Sequence, residues 1–176
     1  MAKPYNERIM TKESCDIYVK GNRDKALGIF NAKIKKCLND GEFWVARGGS
    51  LFEEEKYPDA IKYFDQAIKI DPKDTEAWTG KARSLLNMER YKEALDCVNH
   101  ALKNDSQNWD AWDLKGYTLY LIGEFKEALK CYDKIVKRKR NICHPRNFCY
   151  RGLVLLKLDR QKEALKEFEF SLCGED

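Results

Sequence analysis

FWVARGGSLFEEEKYPDAIKYFDQAIKIDP, residues 43–72, distributes small and large side chains in a fixed order. Trp44 is followed four residues on by Gly48, and Ala60 and Ala67 flank Phe64 before Pro72 closes the stretch. The same order recurs at a constant interval. Trp44, Trp78 and Trp112 stand 34 residues apart, as do Gly48, Ala82 and Gly116, and Ala60, Ala94 and Ala128. Ala67 is followed by Ala101 and then Ile135. Backwards, Ala26 and Phe30 keep the register; forwards, Gly152 and Ala164 fall 36 residues on, which places a two-residue insertion at Cys143 and His144. A repeat of this period outranks other sequence signals and predicts a stacked array.

Each unit reads as two helices. In the second unit they are expected from about Glu42 to Glu54 and from about Pro58 to Ile70. Proline suits a first helical turn, where its missing N–H costs nothing. Asp71 and Pro72 end the helix, since proline cannot continue it. Gly123, like Gly21, marks the bend between helices, where a left-handed backbone is often needed. Gly48, Ala60 and Ala67 let two helix backbones approach, while Trp44, Leu51, Tyr57 and Phe64 fill the remaining space. No unit buries that face alone, so the units must stack into a solenoid.

The 176 residues are room for one domain or one short array. With 43% hydrophobic and 35% charged residues, the chain has enough apolar mass for a core and enough charge for a solvated surface. Its net charge of +4 is too mild to argue for nucleic acid. No apolar run approaches the ~20 residues of a membrane span. MAKPYNERIM lacks the apolar centre of a signal peptide, so we expect a cytoplasmic protein. Cys15, Cys37, Cys97, Cys131, Cys143, Cys149 and Cys173 form no CxxC pair. We read them as reduced thiols, not as a disulfide framework or zinc ligands.

The order Trp44, Gly48, Leu51, Tyr57, Ala60, Phe64, Ala67, Pro72 resembles the tetratricopeptide repeat (TPR). Trp78, Ala82, Leu85, Tyr91, Ala94, Val98 and Ala101 repeat it, as do Trp112, Gly116, Leu119, Phe125, Ala128 and Tyr132. Phe148, Gly152, Leu155, Ala164 and Phe168 give a fifth unit after the insertion; Met10, Ser14, Ile17, Ala26 and Phe30 give a degenerate first. The 34-residue interval fits this family better than the 35-residue pentatricopeptide repeat. The resemblance implies an all-α, right-handed solenoid of about five antiparallel helix-turn-helix units. Expected divisions are a tail at 1–6, a degenerate repeat at 7–40, repeats at 41–74, 75–108 and 109–142, and a last repeat at 145–176.

The resemblance also implies an adaptor and not an enzyme, with a partner's peptide or helix held in the concave groove lined by the first helix of each unit. The candidate groove residues are Tyr18, Phe52, Arg83, Asn87, Asp113, Leu114, Tyr117, Tyr120, Leu121, Tyr150, Leu153 and Leu156. The aromatic end at Tyr117, Tyr120 and Tyr150 is the expected anchor, because tyrosine joins rigid area to a polar tip. Some relatives grip acidic chaperone tails with a clamp of Lys, Asn and Arg across three units. Here the corresponding places hold Val45, Gly49, Gly80, Asp110 and Leu114, or Thr79, Arg83, Leu114, Arg146 and Tyr150, so no such clamp is expected. Asp110 and Asp113 would repel a carboxylate.

An alternative is a structural module that self-associates through an uncapped last helix, with Phe168, Phe170 and Leu172 as candidates and Phe170 expected to face outward. A third reading is a nucleic-acid-binding solenoid using Lys137, Arg138, Lys139 and Arg140. The ordinary role of such a run is a solvated helix end, where cations favour the negative dipole terminus. Cys143, His144 and Cys149 are too few for a metal site, and Pro145 is expected to begin a helix between them. No nucleophile–base set or paired carboxylates occur, so neither catalysis nor a cofactor is expected.

Overall fold

The computed structural model describes residues 40–138 and 145–172. Among these residues there are eight helices and no strands. They are α1 (Gly41–Glu53), α2 (Tyr57–Ile70), α3 (Thr75–Asn87), α4 (Tyr91–Asn104), α5 (Trp109–Ile122), α6 (Phe125–Arg138), α7 (Pro145–Lys157) and α8 (Gln161–Leu172). Each odd-numbered helix packs against the helix that follows it, and each even-numbered helix from α2 to α6 packs against the first helix of the next pair. The result is the all-α TPR solenoid. The expected degenerate repeat at 7–40 and the insertion at Cys143–His144 lie outside the described residues.

The helix ends explain the hairpins. Asp40, Asp74 and Asn108, spaced 34 apart, each accept a hydrogen bond from a backbone N–H of the helix they precede. Such caps satisfy donors that the first turn leaves unpaired. Pro58 occupies the first turn of α2, and Pro145 opens α7. The bends inside the hairpins place Glu55, Glu89, Gly123 and Asp159 at positive φ, between 58° and 94°. Only Gly123 adopts this left-handed backbone without a Cβ penalty.

The core forms from size-matched pairs, 16 residues apart, on the two helices of a hairpin. Gly48 faces Phe64, Gly116 faces Tyr132, and Gly152 faces Phe168; a Cβ on each glycine would stand 2.6–2.9 Å from the nearest ring atom. Where the first helix carries Ala82, the second carries the smaller Val98, and both are fully buried. Gly80 of α3 also meets the Phe64 ring, at 2.5 Å for an added Cβ. Phe64 is therefore enclosed by its own hairpin and the next one.

Ring nitrogens and charges tie the units further. Trp78 donates from Nε1 to the Pro72 carbonyl at 2.9 Å, and Trp112 donates to the Ser106 carbonyl at 3.0 Å. Lys81 pairs with Asp65 across the α2–α3 junction at 2.7 Å. Arg151 of α7 repeats this contact with Asp133 of α6 and adds Glu167 of α8.

Candidate functional site

The first helices α3, α5 and α7 form the wall of a concave cavity of about 590 Å³. Helical spacing explains its lining. On α5, Asp110, Asp113, Leu114, Tyr117 and Leu121 recur three or four residues apart and share one face. Arg83, Leu86 and Asn87 of α3 stand on one side, and Arg146 and Tyr150 of α7 on the other. Phe52 of α1 and the bend residues Glu89 and Tyr91 complete it.

Eight of the candidate groove residues thus meet at one cavity: Phe52, Arg83, Asn87, Asp113, Leu114, Tyr117, Leu121 and Tyr150. Tyr120, Leu153 and Leu156 lie outside it. Tyr120 turns toward the α5–α6 core, with its ring 5.8 Å from that of Phe125. It stands three residues beyond Tyr117, and that rotation directs it toward the second helix of its own hairpin. Leu153 is half-buried and Leu156 is exposed. Tyr18 is outside the described residues. Glu89 and Tyr91 were not expected in the groove; their place at the hairpin bend, 34 residues after Glu55 and Tyr57, was the available signal.

The aromatic end is built in layers. The Tyr117 and Tyr150 rings are 5.0 Å apart and tilted by 54°. Beneath them the fully buried Tyr132 ring lies 6.2 Å from Tyr150 and nearly parallel to it. Burial pushes the Tyr150 phenol upward, and the neighbouring Tyr117 adds to this. Burial pushes Tyr132 upward more strongly, with Asp113 adding to it, so both rings stay neutral. The Tyr132 hydroxyl has no hydrogen-bond partner among the described residues.

The charges in the groove are largely paired. Asp113 accepts from the Arg146 guanidinium and from Asn147 Nδ2 at 2.8 Å. Asp113 in turn holds the Arg146 guanidinium above its ordinary pKa. The repulsion expected from Asp113 is therefore offset by a cation from the next unit. Arg83 approaches Asp110 only to 4.0 Å, and both are well exposed, so this pair contributes little. Asn87 donates to the Arg83 carbonyl of its own helix.

The other expected features are dispersed. Lys137 is exposed near the end of α6, and Arg138 is the last residue of that helix; Lys139 and Arg140 lie outside the described residues. Cys149 is exposed with its Sγ 3.9 Å from Ser171 Oγ, while Cys143 and His144 lie outside the described residues. Among the described residues no group of three His, Cys, Asp or Glu side chains is placed to hold a metal. None of the described helices is long and apolar enough to cross a membrane.

On the last helix Phe170 is exposed, as expected, whereas Phe168 turns inward. Phe168 packs onto Gly152, inside its own hairpin. Phe170 retains 40% exposure, yet its ring lies 4.7 Å from buried Phe148, so it covers α7 as well as meeting solvent. The Leu172 side chain is not among those described. Among the described residues the most exposed large apolar side chain is Leu165, at 60%. The 34-residue register shows it in advance: Leu165 follows Ile61, Leu95 and Leu129, allowing for the insertion.

Comparisons with known proteins agree with this architecture. Three tetratricopeptide repeat family models match, over residues 15–75, 51–117 and 110–142. The sequence matches no curated protein. Among solved structures, MamA aligns with a TM-score of 0.73 at 21% identity, over 94% of this chain and 96% of that one. YrrB, described as a TPR protein with an unusual peptide-binding site, aligns with a TM-score of 0.70 at 22% identity, over 82% and 74%. A thermophilic TPR protein of Thermus thermophilus aligns with a TM-score of 0.69 at 15% identity, over 93% and 89%. At these identities the likeness concerns the fold. With the recurrent Trp, Gly and Ala positions, the stacked hairpins and the three matching models, the chain belongs to the tetratricopeptide repeat family.

Proposed function

We propose that this protein is a non-enzymatic adaptor that works inside the cell and holds a segment of a partner protein in the groove between α3, α5 and α7. The observation that carries this reading is the Tyr117–Tyr150 pair on the cavity wall, flanked by Leu114, Leu121 and two guanidinium groups. A concave, partly apolar site with a few placed polar groups is the usual form of a binding pocket. Rigid aromatic side chains give contact area at low entropic cost, and arginine adds directional donors. YrrB, which shares the fold, is described as having an unusual peptide-binding site, and this supports peptide binding as a use of such an array. Binding would be non-covalent and would draw on a few desolvated anchors more than on total area.

The test is selection of peptides from a random display library on the immobilised chain. Binders are then measured against wild type and a Tyr117→Ala/Tyr150→Ala variant whose helicity is verified by circular dichroism. Selected peptides should lose at least about tenfold in affinity on the variant, the loss of ~1.4 kcal/mol that one good anchor supplies. Peptides that bind both proteins equally would remove the groove from the mechanism.

A further inference from the structure

Each second helix of a hairpin carries an apolar residue at one register position, and the next first helix covers it. Ile61 of α2 packs on the cluster containing Ala82 and Leu85. Leu95 of α4 packs on the cluster containing Leu119. Leu129 of α6 is 8% exposed and shares its cluster with Val154 and Leu155 of α7. Leu165 of α8 holds the same position at 60% exposure, with no helix over it among the described residues.

The charges around Leu165 indicate what fits there. Lys162 stands one turn before it and Glu169 one turn after it, on the same flank of α8 by helical spacing. Both are exposed, and neither forms an ion pair among the described residues. An acid and a base placed either side of one apolar residue are self-complementary under a twofold axis. With two α8 helices antiparallel, Leu165 meets Leu165, and each Lys162 faces Glu169 of the other copy.

We infer that two copies of this chain pair through α8, antiparallel, with Leu165 at the twofold. The partner is a second copy because the surface complements itself, which is the requirement of an isologous interface. One helix pair is a small contact, so the dimer is weak and forms at high protein concentration. This inference is independent of the groove, which lies on the first helices.

The experiment is sedimentation velocity of the full chain over a concentration series into the millimolar range. Wild type should pass from monomer to dimer. Leu165→Asp should weaken association by at least about tenfold. Lys162→Glu and Glu169→Lys should each weaken it about two- to fivefold per contact, because each sets like charges opposite one another. The Lys162→Glu/Glu169→Lys double variant should restore the wild-type constant, which a merely unfolded variant cannot do. The groove variant Tyr117→Ala/Tyr150→Ala should dimerise as wild type. A monomer throughout the series overturns the inference. So does a dimer that tolerates Leu165→Asp, or a double charge variant no better than the single ones.

Discussion

The pairing of first-helix and second-helix side chains by size can be tested at Gly116 and Tyr132. A Cβ at Gly116 would lie 2.9 Å from both Cε2 and Cζ of Tyr132. Tyr132 is fully buried, so its ring has nowhere to retreat. Overpacking of this kind costs about 1–3 kcal/mol. Against it, replacing glycine by alanine within a helix contributes about 1 kcal/mol of propensity. Gly116→Ala alone should therefore be destabilising by about 0–2 kcal/mol. Tyr132→Val alone leaves a cavity and should cost about 2–4 kcal/mol. In the Val background the clash is gone, as at Ala82 and Val98, and Gly116→Ala should become stabilising by about 1 kcal/mol. The coupling between the two sites is then the clash itself, about 1–3 kcal/mol. The assay is urea unfolding followed by far-ultraviolet circular dichroism, fitted with one common m-value for the four proteins. If Gly116→Ala has the same effect in both backgrounds within ~0.5 kcal/mol, the size-matching argument is refuted.

Two further predictions concern backbone strain and thiol burial. Glu89→Gly relieves a left-handed residue at φ 58° and should raise stability by up to about 1 kcal/mol, while Gly123→Ala at φ 94° should lower it by about 1 kcal/mol; thermal melts of both variants compare the two bends. Burial pushes the Cys97 and Cys131 thiols up to about 11 from an ordinary value near 9. The folded state then holds more protons than the unfolded state across that window, so stability should fall as pH rises from about 9 to about 11. Denaturant titrations through this range should show a shallower decline for Cys97→Ala/Cys131→Ala; an unchanged slope would assign the decline to other groups.

The repeat was legible because packing needs the same shapes at the same places in every unit. Trp78 and Trp112 hold the register through equivalent bonds to carbonyls six residues upstream. Pro145 was readable as a helix start for a similar reason, since its backbone restriction acts locally. The bends were harder to read. Among the described residues, one of the four left-handed positions carries glycine; the others are disguised as Glu55, Glu89 and Asp159. The groove was readable as a face, but not in its detail. Asp113 meets Arg146 from 33 residues away, so their pairing depends on the angle between successive hairpins. Tyr120 has the composition of a groove residue, but rotation along α5 turns it toward Phe125. Leu165 was hidden by the more prominent phenylalanines beside it, although its register position had covered equivalents in three earlier units.

The Phe64 ring belongs to two hairpins at once, filling the space left by Gly48 in its own and by Gly80 in the next. The corresponding ring position in the following hairpin is Val98, whose cluster includes Leu114 at the place equivalent to Gly80. Bulk has moved from one side of the junction to the other. A chimaera joined at the loop between Ile70 and Thr75 would preserve every hairpin and still bring together surfaces that do not fit. Recombination along this array is therefore constrained at its seams: what can be exchanged intact is a second helix together with the first helix that follows it, not the hairpin visible in the sequence.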